Sequence, residues 1–301
     1  MRSACTNILS VAFLAGHFVC AQAYPPFPPS VSDVLRIFSD LHFGDRSSQI
    51  RKLAQIRPLL HEAGGLILNG DTLDTRPGPS PETTAALREE VLDFFRREVP
   101  AVTFLTGNHD ADISTQHQLE LARGKVFVVH GDILFEDIVP WSRDAPVIRQ
   151  LLAAELATLA PAAREDLGSR LAVWRRVAGK IPQRQESERD PVKHALHLLG
   201  DTVWPPWRVL RILRAWYEEP ARASALLRRH RAAAKFILTG HTHRPGVWRL
   251  GGGIVLINSG SFCLPLGSYV SELTPTMLRV RRVKRQGGEF RLGGTIAEFP
   301  L

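Results

Sequence analysis

The sequence predicts an α/β fold, on three observations. Short apolar runs of strand length alternate with stretches of helical periodicity. Five of those runs end in clusters of Asp, Asn and His, and sites in this class form beyond the carboxyl ends of strands. Between Asp132 and Lys235 the strand signals vanish and Ala, Leu and Arg dominate, which predicts a helical insertion into the α/β core.

The elements follow in order. Val34 to Ser39 reads as the first strand and ends in Asp40-Leu41-His42. A helical segment is predicted from about Ser48, with Pro58 as a kink or break. Leu66 to Leu68 is the second strand, ending in Asn69-Gly70-Asp71-Thr72-Leu73-Asp74. Ser80-Pro81-Glu82 supplies a cap, a first-turn proline and an acid, and Leu87, Val91, Phe94 and Phe95 mark one face of the helix that follows. Ala101 to Leu105 is the third strand, ending in Gly107-Asn108-His109-Asp110, and Val126 to Val129 the fourth, ending in His130-Gly131-Asp132. Phe236 to Leu238 runs into Gly240-His241-Thr242-His243, where two imidazoles at i and i+2 can be aimed at one point. Gly253 to Ile257 is a sixth strand, ending in Asn258-Ser259-Gly260-Ser261. Met277 to Val283 alternates apolar and basic residues and predicts an edge strand with one basic face.

The insertion reads as four helices interrupted at Pro161, Pro182, Pro191 and Pro205-Pro206. It carries Trp141, Trp174, Trp204, Trp207 and Trp216. From Trp207 to Tyr217, Arg208, Arg211 and Arg214 recur on a basic amphipathic helix. Two readings of that helix stand: a packed helix with solvated arginines, or a surface for an anionic lipid interface or acyl chain.

At 301 residues the chain can hold one large domain or two smaller ones, and its net charge of +8 suggests an acidic partner: phosphorylated substrate, anionic lipid or nucleic acid. Of its three cysteines, Cys5 and Cys20 lie in an N-terminal leader and only Cys263 lies beyond it, which excludes a disulfide framework and a thiolate metal site. Arg2, the apolar run Ile8 to Cys20 and Ala21-Gln22-Ala23 predict export or membrane anchoring. The alternatives are a misassigned start codon and a cytoplasmic protein with peripheral membrane contact. The predicted organisation is a leader and proline-rich spacer over 1–30, a core over 31–131 and 235–301, and a helical insertion over 132–234.

The clusters offer oxygen and nitrogen donors without sulfur, which favours Mn, Fe or Zn. Two such cations about 4 Å apart need a bridging anion, and a strand-end carboxylate is the natural bridge. Asp-X-His, Gly-Asp-X-X-Asp, Gly-Asn-His-Asp, His-Gly-Asp and Gly-His-X-His, in this order, resemble the calcineurin-like metallophosphoesterases over roughly Val34 to Gly131 and Lys235 to Val283. The resemblance implies two mixed sheets packed face to face and flanked by helices, two divalent ions (Mn, with Fe or Zn as alternatives), and attack of a metal-bridging hydroxide on a phosphate ester or pyrophosphate. It implies Asp40, His42 and His243 on the first metal, Asn108, His130 and His241 on the second, and Asp71 bridging. It also implies His109 acting on the phosphoryl group without ligating, with Asp74 orienting its ring. Arg76 stands one residue out of register with the family's phosphate-binding arginine.

Within the family, Gly-His-Thr-His-Arg-Pro, the helical insertion and Asn258-Ser259-Gly260-Ser261-Phe262 resemble the UDP-2,3-diacylglucosamine pyrophosphohydrolases of lipid A synthesis. That implies an insertion capping acyl chains, a lipid-linked nucleotide substrate and peripheral membrane contact through the cap. His109 departs from the arginine usual in that group. Other readings are a phosphorylated small-molecule substrate, a nuclease or nucleic-acid-binding protein using Arg281, Arg282, Lys284 and Arg285 as a phosphate-tracking face, and an inactive scaffold, which would have lost ligands.

Overall fold

In the computed structural model, residues 34–183 and 206–301 are described. The leader, the spacer, Pro191, Trp204 and Pro205 lie outside them. In chain order the strands are β1 (Leu35–Phe38), β2 (Gly65–Asn69), β3 (Val102–Leu105), β4 (Gln118–Leu121), β5 (Val126–Val129), β6 (Phe236–Thr239), β7 (Gly246–Arg249), β8 (Val255–Asn258), β9 (Tyr269–Leu273), β10 (Met277–Gln286) and β11 (Glu289–Pro300). The helices are α1 (Arg57–Leu60), α2 (Pro81–Glu98), α3 (Ala145–Ala157), α4 (Pro161–Glu165), α5 (Leu167–Ala178) and α6 (Pro206–His230).

Two mixed sheets result. A six-stranded sheet has the order β11-β10-β9-β1-β2-β3, and a five-stranded sheet the order β4-β5-β6-β8-β7. β1, β2 and β3 run parallel, as do β5, β6 and β8, so these strands end on carboxyl edges. Alternation within single strands shows how the sheets stack. Leu35 and Ile37 of β1, Ile67 of β2, Val126 and Val128 of β5 and Leu238 of β6 share one core between the sheets. The neighbours one residue away face outward. Leu66 and Leu68 meet Val91, Phe94 and Phe95 of α2, while Phe127 and Val129 meet Leu171 and Trp174 of α5 and Ala223 and Leu227 of α6. Strands buried on both faces read as unbroken apolar runs, which is why the parallel ones stood out in the sequence.

The insertion is therefore the helical layer of the five-stranded sheet. α6 is long, with Pro220 inside it. Ala215, Ala223 and Leu227 are buried, whereas Leu210, Leu213 and Tyr217 are exposed. The arginine row does not act as a unit: Arg211 stacks 4.4 Å from the Trp207 ring centroid, Arg214 pairs with Glu218 at 2.7 Å, and Arg208 lines the cleft described below. Among the described residues, no helix is long and apolar enough to cross a membrane.

Two expectations need correction. Met277 to Val283 belongs to β10, which is not an edge: it pairs with β9 on one side and β11 on the other. Gly287 and Gly288, both at positive φ, form the two-residue turn that folds β11 back as the edge. The basic residues are partly drawn onto their own sheet: Arg281 donates to the Gly293 carbonyl at 2.8 and 3.1 Å, Arg279 pairs with Glu298, and Arg282 and Arg285 lie over Tyr269 and Phe290. The helical segment expected from Ser48 begins only at a 3-10 turn over Leu53–Ile56, and Pro58 sits in the first turn of α1, where its missing N–H costs nothing. β4, β7, β9 and β11 had not been anticipated.

Candidate metal centre

Every residue expected at the site follows a parallel strand. Asp40 and His42 leave β1, Asp71, Asp74 and Arg76 leave β2, Asn108 and His109 leave β3, His130 leaves β5, and His241 and His243 leave β6. The loops are stitched together by backbone bonds: Asp40 N donates to the Gly70 carbonyl at 3.1 Å and His42 N to the Asp71 carbonyl at 3.0 Å. Asp40, His42, Asp71, His241 and His243 all have left-handed backbones, with φ of 54°, 47°, 51°, 67° and 57°. Such conformations cost about 1–3 kcal/mol each and persist only where the surroundings over-determine them. The two imidazoles after β6 thus converge through a tight left-handed turn rather than through strand alternation. Two glycines make room for the carboxylates: a Cβ at Gly107 would lie 2.1 Å from Asp71 Oδ1, and one at Gly240 would lie 2.0 Å from Asp40 Oδ2.

Three groups have donor atoms close enough to hold a metal ion: Asp40, His42 and His243; Asp71, His130 and His241; and His42, Asp71 and His109. His243 Nε2 lies 3.2 Å from Asp40 Oδ1 and 3.1 Å from His42 Nε2, and His42 Nε2 lies 3.8 Å from Asp71 Oδ2. His130 Nε2 lies 3.3 Å from Asp71 Oδ2 and 3.2 Å from Asn108 Oδ1. Asp71 therefore reaches both halves of the site. The ring orientations are fixed from behind: His130 Nδ1 contacts the Asn69 carbonyl at 2.9 Å, and His241 Nε2 contacts the Ile138 carbonyl at 2.8 Å. This leaves Nε2 of His130 and Nδ1 of His241 for the centre, the outer contacts that ligating histidines ordinarily make.

The electrostatics favour cations. Asp40 and Asp71 are buried, and their ion-pair partners are histidines. Burial works to raise the Asp71 pKa, but the field of His130, then of His109, holds it well below the carboxylate range. Burial likewise works to depress His130, yet Asp71, by charge and hydrogen bond, pushes it up to about 10. Burial and the charge of His130 bring His241 down to about 4, which keeps it in the neutral, ligating form. Two buried carboxylates whose ion-pair partners among the described residues are imidazoles, with oxygen and nitrogen donors throughout, suit a pair of hard or borderline divalent ions.

Beside this centre, His109 Nδ1 lies 3.1 Å from Asp74 Oδ2, and Asp74 is also held by Arg76 through Nε at 3.0 Å and Nη2 at 2.6 Å. Arg76 thus spends part of its donor fork on Asp74 while lining a cleft of about 530 Å³. Asp74, Arg76 and His109 line it together with Leu87, Trp141 and Ile148.

Sequence reasoning had passed over several supporting groups. Asp110 accepts from the N–H groups of Gly107 at 2.7 Å, Asp71 at 2.9 Å and Thr72 at 2.7 Å, pinning the loops after β2 and β3 together. Burial and the charge of Asp71 raise its pKa to about 6. Its place in Gly-Asn-His-Asp was the available signal. Asn258 donates to the Gly240 carbonyl at 2.7 Å, and it too sat in a motif. Glu219 and the Ile138 carbonyl had no local signal at all.

The profile of the calcineurin-like phosphoesterase family matches residues 35–245. No curated protein matches the chain significantly. Similar solved structures include vacuolar protein sorting 29 from Cryptosporidium parvum, at 12% identity and a TM-score of 0.43, covering 90% of this chain and 100% of that one. A dimetal phosphatase from Danio rerio is similar at 13% identity and a TM-score of 0.42, covering 86% and 98%. A predicted phosphoesterase from Streptococcus pneumoniae is similar at 14% identity and a TM-score of 0.34, covering 89% and 97%. The family match spans more than half of the chain and encloses every residue from Asp40 to His243, so the protein belongs to the calcineurin-like phosphoesterases.

Proposed function

We propose that this metal-dependent phosphoesterase cleaves a phosphate ester or pyrophosphate whose remaining part is amphiphilic, such as the nucleotide-linked lipid UDP-2,3-diacylglucosamine. In this reading Asp40, His42 and His243 hold one divalent ion, Asn108, His130 and His241 hold the other, and Asp71 touches both. Manganese is the first choice for the donor set, with iron or zinc as alternatives. Such ions supply Lewis acidity toward a phosphoryl oxygen and activation of water. The chain's own part is positional and protonic. The Asp74 carboxylate accepts from Nδ1–H of His109, which fixes the tautomer and leaves Nε2 to exchange a proton with a phosphoryl or leaving-group oxygen. The hydrogen bond from His109, and after it the one from Arg76, keeps the Asp74 carboxylate ionised, its pKa lying well below the usual range despite burial.

The observation that supports the substrate class is the cleft. Its volume of about 530 Å³ is that of a small-molecule site, and it combines a polar side, Arg46, Arg76 and Arg208 among Asp45, Asp74 and Asp144, with an apolar wall. A substrate with phosphate at one end and hydrocarbon at the other matches both. The test is a panel assayed with added Mn: a nitrophenyl phosphate monoester, a bis-nitrophenyl diester and UDP-2,3-diacylglucosamine. Preference for the lipid nucleotide by at least tenfold in kcat/KM is expected. Turnover of the nitrophenyl esters alone would confine the reading to a general phosphoesterase.

A further inference from the structure

We propose that Glu219, a carboxylate carried by helix α6 of the insertion, is a positioning residue for the loop that bears His241 and His243. The inference rests on reading that loop as part of the metal centre. Glu219 is buried and, among the described residues, has no ion-pair partner. What it has are three donors. Oε1 accepts from Asn258 Nδ2 at 2.7 Å and Thr239 Oγ1 at 3.2 Å, and Oε2 accepts from Thr242 Oγ1 at 2.8 Å. Thr239 ends the strand before the loop, Thr242 lies between the two histidines, and Asn258 ends the neighbouring strand and also holds the Gly240 carbonyl at 2.7 Å. All three donors thus come from the frame of a single turn. For packing alone, an apolar side chain would serve at this helix position without the desolvation cost of a carboxylate.

The same stretch of α6 grips the loop twice more. Trp216 donates from Nε1 to the Thr242 carbonyl at 2.9 Å. Pro220 has no N–H, so it leaves the Trp216 carbonyl, four residues back, without its helical donor. Arg244 Nη1 fills that vacancy at 3.1 Å, with its guanidinium over the Trp216 and Trp248 rings. The helix break and the loop therefore fit one another: α6 accepts from Arg244 where it cannot bond itself, and donates to the carbonyl between the two histidines. His241 and His243 both hold left-handed backbones, and a turn so strained needs bracing of this kind. Outer contacts that orient ligands typically change metal affinity by about 10–100-fold when removed.

The experiment is Mn binding to chelator-treated full-length protein by isothermal titration calorimetry, with the melting temperature of the metal-free protein recorded beside it. Glu219→Ala is expected to weaken binding of at least one ion by about 10–100-fold. Glu219→Gln, which keeps an acceptor for Asn258, should stay close to the wild type. A purely structural role would lower the metal-free melting temperature and leave Mn affinity alone, and that result would overturn the proposal. If Glu219→Ala does not fold, Thr242→Val decides, since it removes one of the three donors at constant volume. Weaker Mn binding supports the proposal, and unchanged binding overturns it. A wild-type protein that binds no Mn would reject the metal-centre reading itself, and this inference with it.

Discussion

Arg175 holds Asp132 in a two-pronged ion pair, Nη2 to Oδ1 at 2.6 Å and Nη1 to Oδ2 at 2.8 Å, with both side chains buried. Asp132 lies two residues beyond His130, so α5 is tied to the turn that carries a site histidine. Arg175→Ala leaves a buried carboxylate uncompensated, a loss of about 3–5 kcal/mol. At this chain length that corresponds to a fall in melting temperature of roughly 10 °C. Thermal denaturation of Arg175→Ala checks this, and Asp132→Asn combined with Arg175→Met should recover much of the loss.

Asp71 faces both halves of the centre, through His42 at 3.8 Å and His130 at 3.3 Å. Asp71→Ala should therefore lose both ions rather than one, which elemental analysis after dialysis would show. Retention of the full metal content with unchanged activity would remove Asp71 from the site.

His109 and Asp74 are expected to separate metal binding from turnover. His109→Ala should keep its metal content while kcat falls by about 10²–10⁴, the range for a positioned acid or base. Asp74→Asn should show a smaller fall of the same kind, because the ring remains but its orientation is no longer enforced. Loss of metal by His109→Ala would instead make His109 a ligand, which its distance from His42 and Asp71 permits.

Burial raises the pKa of Glu219 from 4.5 to about 7, against the lowering effects of its three hydrogen bonds and of the Arg244 charge. The folded state therefore holds this proton more tightly than the unfolded chain. Below pH 4.5 both states are protonated and nothing is lost; between 4.5 and 7 folding is progressively penalised, and above 7 the penalty is complete. A neutral Glu219→Gln escapes it. Its melting temperature should match the wild type near pH 4.5 and exceed it increasingly up to pH 8, with an upper limit on the order of 3 kcal/mol. A constant difference across that range would show that Glu219 does not titrate there.

The parts of the site that were legible in the sequence are those whose chemistry is local. Asp40 with His42, and His241 with His243, need two donors on one short turn, and that demand leaves a pattern within a few residues. Strands buried on both faces, such as Val126–Val129, announce themselves as unbroken apolar runs. What escaped was set by distant partners. Glu219 lies just past the basic amphipathic stretch Trp207 to Tyr217 and carries no local signal, and only the folded chain shows it facing Thr242. Asp132 and Arg175 are 43 residues apart, with nothing between them to suggest a pair. β11 escaped because Gly293 and Gly294 interrupt its alternation, although Gly287-Gly288 was a readable hairpin turn.

Because α3, α5 and α6 cover the outer face of the five-stranded sheet, they are not an exchangeable module. Excising residues 145–230 would strip Phe127, Val129, Ile237 and Leu256 to water, together with the Glu219 contacts to the histidine turn. A shortened chain of this kind would aggregate rather than yield an open, permissive hydrolase. Changes to what the cleft admits are therefore better made at its half-buried lining, such as Trp141 and Arg208, than by removing helices that roof the sheet.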